Sequence, residues 1–155
     1  MATENKVIQK TLIQVWGKHN SGKSSTIKNV YREIKTKHAN SIIGDSNTFD
    51  KGDIYSFITL KDGVKIGFSS MGDILRKELK LHLDMLFNEC DIIIAASRIR
   101  NNVDTYLEQK CKEKKVRRIK VTNCITSTKT LQEPLNKLSA NHIVDIIENI
   151  INETI

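Results

Sequence analysis

The stretch Gly17-Lys18-His19-Asn20-Ser21-Gly22-Lys23-Ser24 has the spacing G-x-x-x-x-G-K-[ST]. An apolar run, residues 12–16, comes directly before it and predicts a strand. After it, four apolar residues recur at the spacing of one helix face: Ile27, Val30, Tyr31 and Ile34. The sequence therefore predicts a strand, a glycine-bounded loop and a helix in direct succession.

This loop has the residue types that a bound triphosphate requires. Backbone N–H groups must converge on the phosphates, and Gly17 and Gly22 let the chain bend without a Cβ atom. The helix that begins near Gly22 directs unpaired N–H groups and its positive dipole end to the same place. We expect Lys23 to contact the β- and γ-phosphates as a mobile charge and the Ser24 hydroxyl to bind Mg²⁺. The predicted nucleotide-binding residues of the loop are Gly17, Lys18, Asn20, Ser21, Gly22, Lys23, Ser24 and Ser25. A chance match on an ordinary strand-to-helix turn is the alternative.

Length and composition indicate one globular domain. The chain has 155 residues, of which 39% are hydrophobic and 28% charged, which is typical of a single domain with a real core. We therefore expect one nucleotide-binding domain over residues 1–155. The longest apolar runs, such as residues 92–96, are far below the ~18 residues of a membrane span. Residues 1–6 are polar and do not resemble a signal peptide, so we expect a cytoplasmic protein with no membrane partner.

The cysteine count and the net charge exclude few classes of protein. Cys90, Cys111 and Cys124 are odd in number and lack the spacing of a zinc site, so we expect neither a disulfide framework nor a metal knuckle. The formal charge of +7 suits a phosphate ligand as well as nucleic acid, and a charge of this size is also ordinary for solubility.

A hairpin is the clearest tertiary feature of the sequence. Residues 54–60 and 64–68 are both β-prone, and the Asp62-Gly63 pair between them predicts a tight antiparallel connection. Val64, Ile66 and Phe68 should share one face of the second strand. Before the hairpin, residues 41–45 predict a brief strand, and the turn-forming residues 46–53 predict a loop.

Carboxylates in that loop are candidates for a metal site. Asp45, Asp50 and Asp53 could hold Mg²⁺ through water or position a nucleophile, and of these we assign Asp45 to the metal. Solvated loop carboxylates are the alternative for each of them.

The second strand of the hairpin leads into a second polar turn, residues 69–73. Gly72 can offer its backbone N–H to a phosphate, and Asp73 is the nearest carboxylate for metal binding or catalysis. Asp73 could instead cap the helix predicted over residues 74–89, since aspartate is a preferred N-cap residue. The two roles are compatible.

An uninterrupted apolar run, residues 92–96, predicts a strand that is buried on both faces of a parallel sheet. Arg98 and Arg100 follow its end, where ligands gather in open α/β sheets. We expect Arg98 to act on the transferred phosphoryl group and Arg100 to contact the nucleotide, with solvent exposure as the alternative.

Basic residues dominate the next helix and strand. A helix over residues 103–115 and an edge strand over residues 116–121 carry Lys110, Lys112, Lys114, Lys115, Arg117, Arg118 and Lys120. A solvated face is the default interpretation, because lysine also protects edge strands from pairing; a nucleic-acid surface is possible but lacks interleaved aromatic residues. We place the single proline, Pro134, in a connection before an amphipathic helix over residues 141–151.

Two motifs carry a resemblance to known proteins. Residues 17–25 resemble the Walker A motif of the P-loop NTPase superfamily, in the form G-x-x-N-x-G-K-S-S that small ribosome-assembly GTPases have. The turn Ser69-Ser70-Met71-Gly72-Asp73 resembles the D-x-x-G turn of those GTPases and the E-S-G-G-D turn of urease- and hydrogenase-maturation GTPases, with Ser69 in place of the acidic residue. The order of elements looks like that of small uncharacterised bacterial ATP-binding proteins with a G-D turn and an Arg-rich strand end.

The resemblance implies a fold, a cofactor and a ligand class. The fold is α/β, a three-layer P-loop NTPase fold whose sheet is mostly parallel with one antiparallel hairpin strand, and the cofactor is Mg²⁺. Asn123 stands where the guanine-reading N-K-x-D motif has its asparagine, but the lysine and the aspartate are missing, which favours ATP while leaving GTP possible. We expect the base to lie near residues 122–128.

Three functions fit this sequence. The first is Mg-dependent binding and hydrolysis of a nucleoside triphosphate, an enzymatic NTPase in which ATP hydrolysis is favoured over GTP hydrolysis. The second is a phosphotransferase, in which Arg98 or Arg100 clamps the transferred group. The third is a nucleotide-responsive binding module that meets nucleic acid or a protein through its basic face. The sequence identifies no protein partner.

Overall fold

The computed structural model describes residues 6–18, 21–50 and 52–155. Strands and helices alternate over most of this part of the chain, which gives an α/β fold. In chain order the elements are β1 (Thr11–Trp16), α1 (Lys23–Lys37), β2 (Ile42–Asp50), β3 (Asp53–Leu60), β4 (Lys65–Ser69), α2 (Lys77–Glu89), β5 (Ile92–Ser97), α3 (Asn102–Lys114), β6 (Arg117–Thr122) and α4 (Lys129–Ile151).

The strands form one mixed sheet in the order β2-β3-β4-β5-β1-β6. β1 pairs in parallel with β5 and β6, and β4 pairs in parallel with β5. β3 is antiparallel to both of its neighbours. The prediction of a mostly parallel sheet with one antiparallel hairpin strand is therefore confirmed for the described residues.

The β3–β4 hairpin forms where the Asp-Gly pair predicts it. Gly63 has a φ of 89°, a left-handed conformation that glycine adopts without a steric cost. Val64, Ile66 and Phe68 are fully buried and belong to one core cluster, as predicted.

Helices cover both faces of the sheet. Neighbouring residues of a strand point to opposite faces, and apolar residues on each face pack against helices. Ile13 and Val15 of β1 face a cluster built with α1 and α4, whereas Leu12 faces a cluster built with α2 and α3. All residues of β5 are buried, as the uninterrupted apolar run predicts. Among the described residues, no helix combines the length and the apolar character that a membrane crossing needs.

The prediction of a loop over residues 46–53 is wrong. β2 continues to Asp50 and pairs with β3 along its whole length, down to the partners Asp50 and Asp53. β2 is an edge strand, so its polar residues do not have to pack on both sides, and backbone pairing with β3 outweighs their preference for turns.

Two helix boundaries also differ from the sequence predictions. α2 begins at Lys77 rather than at residue 74, and its N-cap is Arg76, so Asp73 does not cap it. α4 begins at Lys129 and contains Pro134, which was predicted to lie in a connection. Pro134 is exposed near the start of α4, where the loss of one hydrogen bond is tolerated while buried residues beyond it continue the helix face.

The topology places several strand ends together. Trp16 of β1 is in register with Ser97 of β5 and Thr122 of β6, and Ser69 of β4 pairs with Ala95 of β5. The connections that follow these parallel strands therefore meet at one edge of the sheet, where ligands bind in open α/β sheets.

Candidate functional site

A cavity of about 650 Å³ opens at this edge, within the size range of small-molecule sites. The segment after β1, the first residue of β3, the segment after β4 and the start of α4 all contribute to its wall. Its lining residues are Ser21, Gly22, Lys23, Ser24, Ser25, Asp53, Ser70, Met71, Gly72, Asp73, Ile74, Arg76, Glu78, Gln132 and Asn136.

The glycine positions of the loop exclude larger residues. Gly22 has a φ of 84°, and a Cβ atom there would lie 2.3 Å from the Asn136 Oδ1 atom. A Cβ atom on Gly17 would lie 2.9 Å from the Ser21 Oγ atom. Backbone conformation and close packing therefore both require glycine at position 22, whereas a Cβ atom on Gly17 would require the Ser21 side chain to move. His19 and Asn20, including the predicted contact of Asn20, lie outside the described residues.

The first turn of α1 faces the cavity without a cap. The Thr26 N–H donates to the Gly22 carbonyl at 2.9 Å, which leaves the N–H groups of residues 23–25 without an acceptor in the helix. No side chain of the described residues caps this end, and its first turn has no acidic residue. Unpaired N–H groups and the positive end of the helix dipole are therefore available to an anion in the cavity.

Lys23 is held over the loop rather than extended into solvent. Its side chain donates to the carbonyls of Gly17 at 3.1 Å and Lys18 at 2.7 Å, and the residue is 7% exposed. Burial lowers the pKa of Lys23, while the nearby Asp73 raises it and Arg98 lowers it. The prediction of a mobile charge thus differs from the structure, in which the ammonium group is already partly desolvated and positioned.

Ser24 and Asp53, which both line the cavity, form a hydrogen-bonded hydroxyl–carboxylate pair. The Ser24 hydroxyl donates to Asp53 Oδ1 at 3.0 Å, and the Ser70 hydroxyl donates to the same oxygen at 2.9 Å. Ser70 is fixed in turn by the Ile54 N–H, which donates to its Oγ atom at 2.8 Å. Hydroxyl and carboxylate oxygens are the ligands that Mg²⁺ prefers.

A metal here would take its remaining ligands from elsewhere. Within the part of the chain that the structure describes, no group of three or more His, Cys, Asp or Glu residues is arranged to hold a metal. Mg²⁺ commonly binds one or two protein oxygens and completes its shell with phosphate oxygens and water. The Ser24–Asp53 pair fits this mode.

Asp45, the carboxylate assigned to the metal, lies elsewhere. It accepts from the Tyr31 hydroxyl at 2.7 Å and forms an ion pair with Lys35 at 2.8 Å. Tyr31 is about 12 Å along the α1 axis from Lys23, at 1.5 Å per residue. Asp45 is not among the residues that line the cavity, and the side chain of Asp50 lies outside the described residues.

The Gly72–Asp73 turn is fixed against the end of β5. A Cβ atom on Gly72 would lie 2.6 Å from the carbonyl oxygen of Ala96. The Gly72 carbonyl accepts from the Arg98 N–H at 3.2 Å and from the Asn101 side chain at 2.9 Å. Asn101, which the sequence analysis did not single out, therefore positions this turn and also caps α3.

Arg98 and Asp73 bind one another in this structure. The Arg98 Nε atom donates to Asp73 Oδ1 at 2.8 Å, with both side chains partly exposed. Asp73 lines the cavity, whereas Arg98 and Arg100 do not. Arg100 is exposed and has a φ of 52°. The structure thus brings Asp73 and Arg98 together at the rim of the cavity and leaves Arg100 outside it.

Asn123 is a buried connection between three parts of the site. Only 2% of it is exposed. Its side chain donates to the Ser21 carbonyl and to Asn136 and accepts from the Thr26 hydroxyl. It thereby fixes the loop to β6 and α4, a role that only the meeting of these elements reveals.

Much of the basic cluster is paired with acidic residues. Arg118 binds Asp104 at 2.8 Å, Lys110 binds Asp84 at 3.2 Å and Lys112 lies 3.5 Å from Glu108. Such an arrangement is typical of a solvated, ion-paired face.

Comparisons with known proteins identify neither a family nor a function. No protein-family profile and no curated protein sequence matches the chain. Among solved structures, the apo form of EndoMS is similar over 59% of this chain and 44% of that chain, with 10% sequence identity and a TM-score of 0.31. This chain therefore spans less than half of that structure, and a likeness this weak carries no information about function.

Proposed function

We propose that this protein binds a nucleoside triphosphate together with Mg²⁺ in the cavity and hydrolyses it, with ATP as the favoured nucleotide. One observation carries the proposal: the uncapped start of α1, the Lys23 amine and the Ser24–Asp53 pair converge on the same cavity. Asp53 lies 29 residues from Ser24 in the sequence, so a chance match of the loop pattern alone does not account for its position in the cavity.

Phosphate binding would use groups that are already in place. The N–H groups of residues 23–25 would donate to phosphate oxygens, and Lys23 would exchange its bonds with the loop carbonyls for bonds to the β- and γ-phosphates. Little reorganisation is needed, because Lys23 is already buried at the loop.

Ser24 and Asp53 would hold Mg²⁺, and Asp73 could bind it through water. When bound, the metal neutralises charge that develops on the phosphate oxygens. Asp73 is a carboxylate at the rim that could accept a proton from an attacking water, and Arg98 binds it at 2.8 Å. In the described residues no observation favours an acceptor other than water.

Phosphate release tests the proposal. We expect wild-type protein with ATP and Mg²⁺ to release inorganic phosphate, and Lys23→Ala to abolish the release. Lys37→Ala is the matched control, because it removes an exposed lysine from the other end of α1, and it should retain the rate. Equal release by wild type and Lys23→Ala would overturn the proposal.

A further inference from the structure

Gln132, in the first turn of α4, makes a paired contact with the segment after β6. Its Nε2 atom donates to the Cys124 carbonyl at 2.8 Å, and its Oε1 atom accepts from the Thr126 N–H at 3.2 Å. A carbonyl can only accept and a backbone N–H can only donate, so the two backbone groups fix the orientation of the carboxamide. The Cys124 carbonyl has one further, long contact, 3.4 Å from the Asn123 side chain.

The two backbone groups present a directed pattern, an acceptor followed by a donor. A carboxamide matches it because its N–H and its oxygen lie side by side. The edge of adenine has the same order, with the N6 amino donor next to the N1 acceptor. Hypoxanthine and guanine have the reverse order, an O6 acceptor next to an N1–H donor. Held by their phosphates in the orientation that adenine takes, they would leave both backbone groups facing groups of the same kind.

This contact adjoins the phosphate-binding loop. Asn123, directly before Cys124, binds the Ser21 carbonyl. Gln132 lines the cavity and also donates to Asn136 Oδ1 at 2.8 Å, the atom that packs closest to Gly22. Cys124 and Thr126 do not line the cavity themselves, but Gln132 does, so a ligand that displaces its carboxamide would meet the two backbone groups from the cavity side.

We propose that the Cys124 carbonyl and the Thr126 N–H are the adenine-reading groups of the site, and that Gln132 occupies them until the base displaces it. The inference rests on the proposed function and specifies its substrate as an adenine nucleotide. Gln132 then acts as an internal competitor of the base and lowers the affinity for ATP. A carboxamide that only braces the loop would give neither base discrimination nor competition.

Binding of three ligands with Mg²⁺ separates these roles. ATP and ITP differ at the purine 6-position and the adjacent N1, and inorganic tripolyphosphate lacks a base. We expect wild-type protein to bind ATP at least about tenfold more tightly than ITP, because a reversed edge leaves the Cys124 carbonyl and the Thr126 N–H without a complementary partner. We expect Gln132→Ala to bind ATP about three- to tenfold more tightly than wild type does, and the ratio of its affinities for ATP and tripolyphosphate to rise by the same factor. Gln109→Ala, on the exposed side of α3, is the control and should change neither.

Specific results would overturn the inference. Equal affinity for ATP and ITP excludes these backbone groups as the base reader, and weaker ATP binding by Gln132→Ala excludes competition. The amide signal of Thr126 in wild-type protein gives an independent readout: it should shift with ATP and not with tripolyphosphate, and no shift with ATP contradicts the inference. If tripolyphosphate binds while ATP and ITP are not distinguished, only this inference fails; if neither tripolyphosphate nor ATP binds, the proposed function fails as well.

Discussion

Two groups of residues in the cavity wall differ in chemistry. The charged group has Lys23, Asp53, Asp73, Arg76 and Glu78, whereas the carboxamide group has Gln132 and Asn136. In the charged group the Asp73 side chain is 45% exposed, and in the carboxamide group Asn136 is only 5% exposed. A triphosphate with a metal needs the first environment, and a neutral ring read by directed hydrogen bonds needs the second.

The largest expected effect concerns the charged group. Lys23→Ala should weaken binding of ATP with Mg²⁺ by about 100-fold, since it removes hydrogen bonds from a buried cation to the phosphates. Isothermal titration calorimetry measures this loss, with Lys37→Ala expected to bind like wild type. If the two variants bind ATP equally well, Lys23 does not contact the phosphates.

The residues around the carboxamide group should matter for folding as well as for binding. Asn123→Ala should lower the free energy of unfolding by about 1–3 kcal/mol, because the Ser21 carbonyl and the Thr26 hydroxyl lose their buried partner. Urea denaturation measures the change. Asn88→Ala, at an exposed position of α2, should stay within about 0.5 kcal/mol of wild type, and a loss as large as that of Asn123→Ala would contradict the assignment.

Substitution of two aspartates tests the proposed metal site. Asp53→Asn should lower the affinity for ATP about tenfold in the presence of Mg²⁺, or about 1.4 kcal/mol, and should have no such effect in EDTA. Asp45→Asn, which breaks the ion pair with Lys35, should leave the Mg²⁺ dependence unchanged. A titration in which Asp45→Asn loses the Mg²⁺ dependence and Asp53→Asn keeps it would reverse the assignment.

The smallest effect on folding is expected at the rim. Arg98→Ala removes a partly exposed ion pair with Asp73, so the free energy of unfolding should fall by less than about 1 kcal/mol. Phosphate release should nevertheless slow, because Asp73 loses its orientation. Arg100→Ala should affect neither quantity, and a slowed reaction in that variant would show that Arg100 reaches the ligand.

Local patterns in the sequence predict the conformation of the glycine-bounded loop and its neighbouring elements well. The loop, the helix after it and the β3–β4 hairpin depend on residues that are neighbours in the chain, such as Gly22 before α1 and Gly63 in the turn. Their conformations follow from spacing and from glycine's freedom at positive φ.

The remaining features depend on the pairing of distant segments. Asp53 reaches Ser24 because β2 extends to Asp50 and returns through β3, and a polar edge strand has the composition of a loop. Asn123 meets Asn136 only when β6 and α4 pack beside α1. No spacing within the sequence distinguishes Asp53 from Asp45, or marks Asn101 and Gln132, since their roles arise from the register of the sheet and from helix packing.

A crystal structure of the protein with Mg²⁺ and a non-hydrolysable ATP analogue tests the central claim most directly. We expect the phosphates to lie against the N–H groups of residues 23–25, with Lys23 on the terminal phosphates and the metal between Ser24 and Asp53. A nucleotide bound away from this loop, or a metal held by Asp45 instead of Asp53, would contradict the claim.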